Sequence, residues 1–464
     1  MATSFRRPWE AVDYQALVQA YQPPPEYFEH DYFATTEEIE HRQLVRLQDR
    51  AHSAYRIPFF RRRWDSVGFH PGDLRSLGDL WLVPAYTVED IRRSVEEHPP
   101  WGDYQGVTPV DALREPMRLF MSGGTTGQAR PTFYTAWDRE VGAVLMARGL
   151  FMHGIRPGDV VLNSWAYGLH NGAFAFDEAL SRWLNCVVLT TSTGNVTSTR
   201  RQVELARDYR AAAILTTGDY LLRIAEEARA MGLDPKRDLH LRSLATNIGD
   251  ERELEDSFGL PLYATYGFHE VQFVAAECSA RAGLHVFEDA FVIQVVDPES
   301  GEPLPDGETG ALVVTELYKT GSAQFRYNIM DLSVLYPRER CACGSWLRRI
   351  GKFAGRADNM IKLRGVNVWP EALGHIALEV PGTTPDYFVR LVRRDHRDDM
   401  VLSVVSEAPI DGHDGIKQAV QRLIHAKLGV RIDVEVATPG ALDQMTEIAT
   451  APKPKRFRDM REAT

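Results

Sequence analysis

Between about residue 117 and residue 250, short apolar stretches take turns with amphipathic ones. MRLFM, DVVLN, CVVLTT, AAILTT and SLAT have the length and branching of strands, and EVGAVLMARGLFM, RRQVELARDY and YLLRIAEEARA have helical spacing. Such alternation predicts an α/β fold with mainly parallel strands, because a crossover helix returns the chain to the same end of a sheet. The period then changes. GLHVFEDAFVIQVVDPESGEPLPDGETGALVVTEL reads as strand, turn and strand, with Gly301 and PLPDGETG supplying the turn chemistry. An antiparallel, barrel-like β layer on the α/β body is expected there. After Gly355 a small α+β unit follows: a hairpin in MIKLRGVNVWP, a helix from near Glu371, strands in YFVRLVRRD and MVLSVVSE, a helix in GIKQAVQRLIHAKLG and a strand in RIDVEVA. The first 110 residues look helical and loop-rich. Two domains are expected, residues 1–357 and 358–464, the second small and mobile.

Composition narrows the function. With 464 residues and 44% hydrophobic content the chain can bury several cores, which excludes a disordered protein. A formal charge of −11 argues against nucleic acid as a partner. No apolar run approaches the ~18 residues that cross a bilayer, so no membrane partner is expected. The opening MATSFRRPWEAVDYQ lacks an apolar signal core, and four cysteines are too few for a disulfide scaffold. A cytoplasmic enzyme is the expectation, with a homodimer left open.

The segment with most chemistry is SGGTTGQAR, Ser122 to Arg130, directly after a strand. Its glycines let backbone N–H groups wrap an anion, and its hydroxyls add donors for phosphate oxygens. It lacks the Lys-Ser/Thr ending of a P-loop. Three more segments follow in order: YGFHE (Tyr266–Glu270), FRYNIMD (Phe325–Asp331) and GRADNMIKLRGVNVWP (Gly355–Pro370). Together the four resemble the motifs of the adenylate-forming superfamily of acyl-CoA ligases, luciferases and adenylation domains. YGLHNG after PGDVV, the long hairpin segment, CACG and the RGVNVWP phrasing are similar to the phenylacetate–CoA ligase branch, from about residue 60 to the end.

That resemblance implies a two-step reaction, in which a carboxylic acid attacks the α-phosphate of ATP and a thiol then displaces AMP. Ser122, Gly123, Gly124, Thr125, Thr126 and Gly127 are implied to hold the β- and γ-phosphates, with Gly249, Asp250, Tyr266 and Gly267 completing the nucleotide site. Tyr266 would stack on adenine, Asp331 would accept the ribose hydroxyls, and Arg356 would reach ribose or phosphate. Glu270 would ligate Mg²⁺. His269 stands where the family places a hydroxyl, to donate a hydrogen bond or to face the acid. In TAPKPKRFRDM the family phase selects Lys453 as catalytic lysine, with Lys455 the alternative and Pro452 replacing the family glycine. Asp358 falls at the hinge, and Gly365 would line the pantetheine passage of coenzyme A. Trp165, Tyr167, His170, Asn171 and Phe174 suggest an aromatic-lined pocket, suited to a flat aromatic acid.

Cys278, His285, Cys341 and Cys343 form a C-x6-H and C-x-C pair of clusters. Three thiols and an imidazole suit a closed structural Zn²⁺ site. Cys186, in LNCVVL, reads as core. Departures from the family include Ala129-Arg130 after the loop and Asn328, Ile329 and Met330 before Asp331. The function expected is an AMP-forming aryl acid–CoA ligase. Transfer to an amine, carrier-protein thiol or other nucleophile, or a nucleotide-binding scaffold without turnover, are the alternatives.

Overall fold

The computed structural model describes residues 5–121, 130–246, 251–357, 361–363, 366–394, 397–448 and 454–461. It divides into two compact units, Met1–Ile329 with Val334–Lys352, and Met330–Ser333 with Phe353–Thr464.

In the first unit, Thr35 and Glu38 form a capping box that starts the helix Thr36–Ala54, whose Ile39, Leu47, Ala51 and Ala54 are buried. Pro58 opens the next helix, Pro58–Asp65, and Phe59, Phe60 and Trp64 go into the core. The expected α/β alternation is present. Val187–Leu189, Val160–Asn163 and Ala213–Leu215 form a three-stranded sheet in that order, all parallel. Helix Gly172–Glu178, continued by the turn Ala179–Trp183, and helix Thr199–Asp208 provide the two crossovers. Leu244–Thr246 pairs in parallel with Leu262–Phe268, at the edge of a five-stranded sheet that continues antiparallel through Gln272–Glu277, Leu284–Val286 and Arg349–Ile350. Phe291–Val296 and Thr309–Glu316 form the expected antiparallel pair, in a sheet completed by Tyr327–Val334.

One strand departs from the parallel expectation. Met117–Met121 pairs antiparallel with Pro131–Thr135 in a separate ribbon. The connection between them is shorter than the roughly dozen residues a parallel crossover needs, so the phosphate-loop segment joins a ribbon and not two strands of the parallel sheet.

The second unit carries a four-stranded sheet in the order Asp433–Ala437, Arg397–Ser406, Thr383–Arg394, Phe457–Asp459. Its central pair is antiparallel and its outer strands are parallel to their neighbours. Helices Pro370–Ala377 and His413–Leu428 place Leu373, Ile376, Val420 and Ile424 in a core with Val389, Leu391, Leu402 and Val434. Gly429, at φ 69°, ends the long helix in the left-handed cap that glycine adopts without strain.

Helix Ala136–Met152 is buried on nearly every side. Its Arg148 has no exposed side chain, and Nη1 meets Asp289 at 2.9 and 3.0 Å. Nε donates to the Gln22 carbonyl at 2.8 Å, and the guanidinium lies 3.8 Å from the Tyr27 ring centre. One cation thus ties the N-terminal segment to the central helix. Asp289→Ala leaves that cation buried without its counter-charge and is expected to cost about 3–5 kcal/mol of unfolding free energy, measured by denaturant titration. A loss below about 1 kcal/mol, the range of a surface ion pair, would refute this account.

Candidate active site

The strand Leu262–Phe268 leads into a hairpin turn formed by His269, Glu270 and Val271, since Phe268 pairs with Gln272. A register shift lies between Tyr266 and Gly267. A Cβ on Gly267 would stand 1.9 Å from the Gln272 carbonyl oxygen, so this approach of the two strands requires glycine. Tyr266 is buried in the core cluster, 6.1 Å from the Phe268 ring.

Three consecutive carbonyls of the turn accept side-chain hydrogen bonds. Tyr134 Oη donates to His269 O at 2.6 Å, Lys319 Nζ donates to Glu270 O, and Tyr318 Oη donates to Val271 O at 3.3 Å. Lys319 is fully buried, and its ammonium lies 3.7 Å from the Tyr134 ring centre. Glu316, Asp138 and Glu270 are the acids whose charge acts on it, in that order. Burial pushes the Glu316 carboxyl up to about 8 against the opposing pull of Lys319. Asp138 accepts from the backbone N–H groups of Thr135, Thr320 and Gly321 at 2.9, 2.7 and 2.8 Å.

Glu270 is 3% exposed, and Oε1 accepts from Arg130 Nε and Nη2 at 3.0 and 2.8 Å. Burial works to raise this carboxyl, but Arg130 outweighs it, so Glu270 lies below the usual carboxylate range. Burial pushes His269 down to about 4, with Lys319, Arg130 and His170 adding positive charge nearby, while Glu270 opposes the shift. The His269 imidazole is therefore neutral near pH 7. Its Nε2 is buried without a hydrogen-bond partner.

Of the expected pocket residues, Tyr167 and Phe174 meet edge to face at 5.2 Å, and Phe120 lies 5.7 Å from Phe174. Asn163, at the carboxyl end of the central parallel strand, positions the group by donating to Tyr167 Oη and to Ala173 O, both at 2.8 Å. Carboxyl ends of parallel strands are the usual location of a ligand crevice. His170 is exposed and stands perpendicular to His269 at 6.4 Å. Asn171 is buried, with its amide beside the Tyr134 hydroxyl. Trp165 stacks on Phe176 at 5.8 Å.

In the second unit, Asp331 and Arg356 are bridge partners, with Oδ1 and Nη1 3.1 Å apart. Lys455 pairs with Glu447 at 2.7 Å. Ser122, Gly123, Gly124, Thr125, Thr126, Gly127, Gly249, Asp250, Asp358, Gly365 and Lys453 lie outside the described residues. Sequence reasoning missed Tyr134, Tyr318 and Lys319, and it noted Arg130 only as a departure. The one available signal was a lysine in ELYKTG that resembles an ordinary turn residue.

Cys278, His285, Cys341 and Cys343 converge, their ligand atoms all within 4.8 Å of one another. Cys278 and Cys341 sulfurs are 3.7 Å apart, and Cys343 Sγ is 3.5 Å from His285 Nε2. A tetrahedral zinc with bonds of about 2.3 Å to sulfur and 2.05 Å to nitrogen has edges of about 3.8 and 3.55 Å. The donors thus match both edges, and the sulfur separation is far too long for a disulfide. Tyr32 Oη lies 3.0 Å from Cys343 Sγ, and Ala280 N–H donates to Cys278 Sγ at 3.4 Å.

A family model described as the AMP-binding enzyme C-terminal domain matches residues 365–461. Phenylacetate-coenzyme A ligase of Aromatoleum evansii is 32% identical over 431 residues, which span 89% of this chain and 93% of that protein. The protein of the same name from Thermus thermophilus is 32% identical over 444 residues, 90% and 96% of the two chains. The chain belongs to the phenylacetate–CoA ligase family. Among solved structures, 2-hydroxyisobutyryl-CoA ligase in its postadenylation state superposes with a TM-score of 0.80 at 26% identity, covering 96% of this chain and 94% of that one. ATP-bound MatB from Rhodopseudomonas palustris, at 16% identity, a TM-score of 0.52 and coverage of 69% and 63%, shares the fold.

As a member of this family the chain is an AMP-forming acid–CoA ligase, with ATP, CoA and a small-molecule acid as its reactants. Among the described residues no helix is long and apolar enough to cross a membrane. The site turn also carries a pH signature. His269 falls from an ordinary 6.5 to about 4 in the folded protein. Between those values the unfolded chain binds the additional proton, so stability present above the upper value is lost as pH falls towards the lower. His269→Gln is expected to flatten the acid limb of unfolding free energy across that window, measured by urea denaturation at several pH values. An unchanged slope would mean that other groups set it.

Proposed function

We propose that the chain activates an aromatic carboxylic acid with ATP and Mg²⁺ and transfers the acyl group to coenzyme A. The observation that carries the aromatic assignment is the ring cluster of Phe120, Tyr167 and Phe174 at the carboxyl end of the parallel sheet, close in sequence to the His170 that faces His269. In the first step an acid oxygen bonds to the α-phosphorus of ATP and the bond to pyrophosphate breaks. In the second, the CoA sulfur bonds to the acyl carbon and AMP leaves.

Ser122 to Gly127 hold the phosphates in this reading, Gly249 and Asp250 complete the nucleotide site, and Tyr266 and Gly267 border the adenine. Asp331, fixed by Arg356, accepts the ribose hydroxyls. Glu270 would hold Mg²⁺, which supplies charge neutralisation on the phosphates when bound. The buried carboxylate is kept ionised by Arg130, the form a hard cation needs. Lys453 neutralises charge forming between the acid and α-phosphoryl oxygens. Asp358 serves as the hinge of the small domain, residues 358–464, and Gly365 borders the pantetheine arm. Cysteines held as zinc ligands rather than as disulfides suit a reducing compartment, which supports a cytoplasmic location.

Pyrophosphate release from ATP, measured across substituted benzoic, phenylacetic and cinnamic acids with and without CoA, tests the reading. Release with an aromatic group, and acyl-CoA only when CoA is present, is expected. A preference for aliphatic acids would refute the aromatic assignment, and a product without CoA would refute the acceptor. Lys453→Ala is expected to abolish acyl-AMP formation while leaving thioester formation from supplied acyl-AMP largely intact.

The Cys278, His285, Cys341 and Cys343 cluster is proposed as a structural Zn²⁺ site. Protein purified under reducing, zinc-replete conditions is expected to carry about one zinc per chain and to lose it in Cys341→Ser. Metal-free wild-type protein from the same preparation would eliminate the site.

A further inference from the structure

Asn171 is 3% exposed, and neither Oδ1 nor Nδ2 has a hydrogen-bond partner. Because both atoms are unpaired, the orientation of the amide does not matter. Burying both ends of an amide unmatched is costly, so such a group calls for a ligand or a trapped water.

The surroundings place this amide at the acid end of the site. Asn171 follows His170, whose ring faces His269 at 6.4 Å. Its amide lies beside the Tyr134 hydroxyl, which is itself committed to the His269 carbonyl at 2.6 Å. His269 Nε2, buried and unpartnered, belongs to the same group.

The unpaired oxygen decides the chemistry. An amide oxygen only accepts, so its partner must bring an N–H or O–H. A carboxylate, an acyl-adenylate carbonyl, a phosphate oxygen and an unsubstituted ring bring none. ATP and coenzyme A do carry N–H and O–H donors, but in the proposed function the ribose hydroxyls go to Asp331, the adenine lies against Tyr266 and the pantetheine arm runs past Gly365. We infer that Asn171, with His269, forms a recognition point for a hydroxyl or amino substituent on the acid. The substituent's hydrogen goes to Asn171 Oδ1, and its lone pair takes a hydrogen from Asn171 Nδ2 or from the neutral His269 tautomer that carries its proton on Nε2. The inference rests on the ligase reading and narrows its substrate to hydroxy- or amino-substituted aromatic acids.

The test compares kcat/KM for pyrophosphate release between matched pairs, each ring acid against its hydroxy and amino derivatives at every ring position. Wild-type protein is expected to favour one substituted acid over its parent by roughly 100-fold or more, the discrimination of a site whose buried polar groups go unpaired with the wrong substrate. Asn171→Leu is expected to reduce that ratio at least tenfold. The wild-type ratio is informative even if the variant folds poorly. Preference for the parent acid in every pair would overturn the inference, as would a variant that slows both members of a pair equally, since a buried water would then satisfy the amide. Absence of release with any acid would overturn the ligase reading and this inference with it.

Discussion

A buried lysine ammonium determines how the active-site turn is held. Lys319 has no access to water, so its charge must be met by the protein: its ammonium donates to the Glu270 carbonyl, and the acids Glu316, Asp138 and Glu270 act on it electrostatically. Those partners come from the helix after the ribbon, the end of the antiparallel strand and the turn itself. The turn cannot move away without taking its carbonyl from the buried ammonium. With Tyr134 and Tyr318 holding the carbonyls on either side, the backbone of residues 269–271 is fixed from outside the hairpin. The side chains of His269 and Glu270 are thereby presented from a rigid base, as a site that positions reacting groups needs.

A similar tie operates at the other end of the same unit. Tyr32 connects the N-terminal segment to the thiol cluster through Cys343 and packs edge-on against His285 at 5.5 Å. Arg148 binds the same segment through Gln22 and Tyr27. The N-terminal segment is short of regular structure, with helices of four and seven residues before Pro23. It docks by burying Val12, Leu17, Tyr21, Tyr27 and Tyr32 in the core, and the polar contacts fix its register there.

How far the chain could be read before folding depended on the range of the interactions. The parallel sheet, the antiparallel layer and the small α+β unit follow from local periodicity, and the motif segments stand out because glycine, tyrosine and acid sit at fixed spacings. Convergence of Cys278, His285, Cys341 and Cys343 was legible because few side chains bind metal. The separate ribbon was not, since a strand's pattern does not name its partner. Arg130 on Glu270 bridges 140 positions, and Lys319 in ELYKTG has the surroundings of a solvated turn. Burial of a charge is a tertiary outcome that depends on counter-charges elsewhere in the chain.

These commitments also divide the chemistry. Adenylation brings a carboxylate against a triphosphate, and the cations of the first unit described around the turn are already engaged. Arg130 forms two hydrogen bonds with Glu270, and Lys319 is held beneath the turn by its carbonyl. Drawing either onto the α-phosphoryl group would strip a buried carboxylate or a backbone carbonyl of its partner, at a cost that offsets the gain in the transition state. A cation that serves the reaction should instead come from a side chain with no structural duty in that unit. In the proposed function that cation is Lys453, a point charge on a flexible stem. The physical case for Lys453 therefore rests as much on what Arg130 and Lys319 are prevented from doing as on its place in the C-terminal motif.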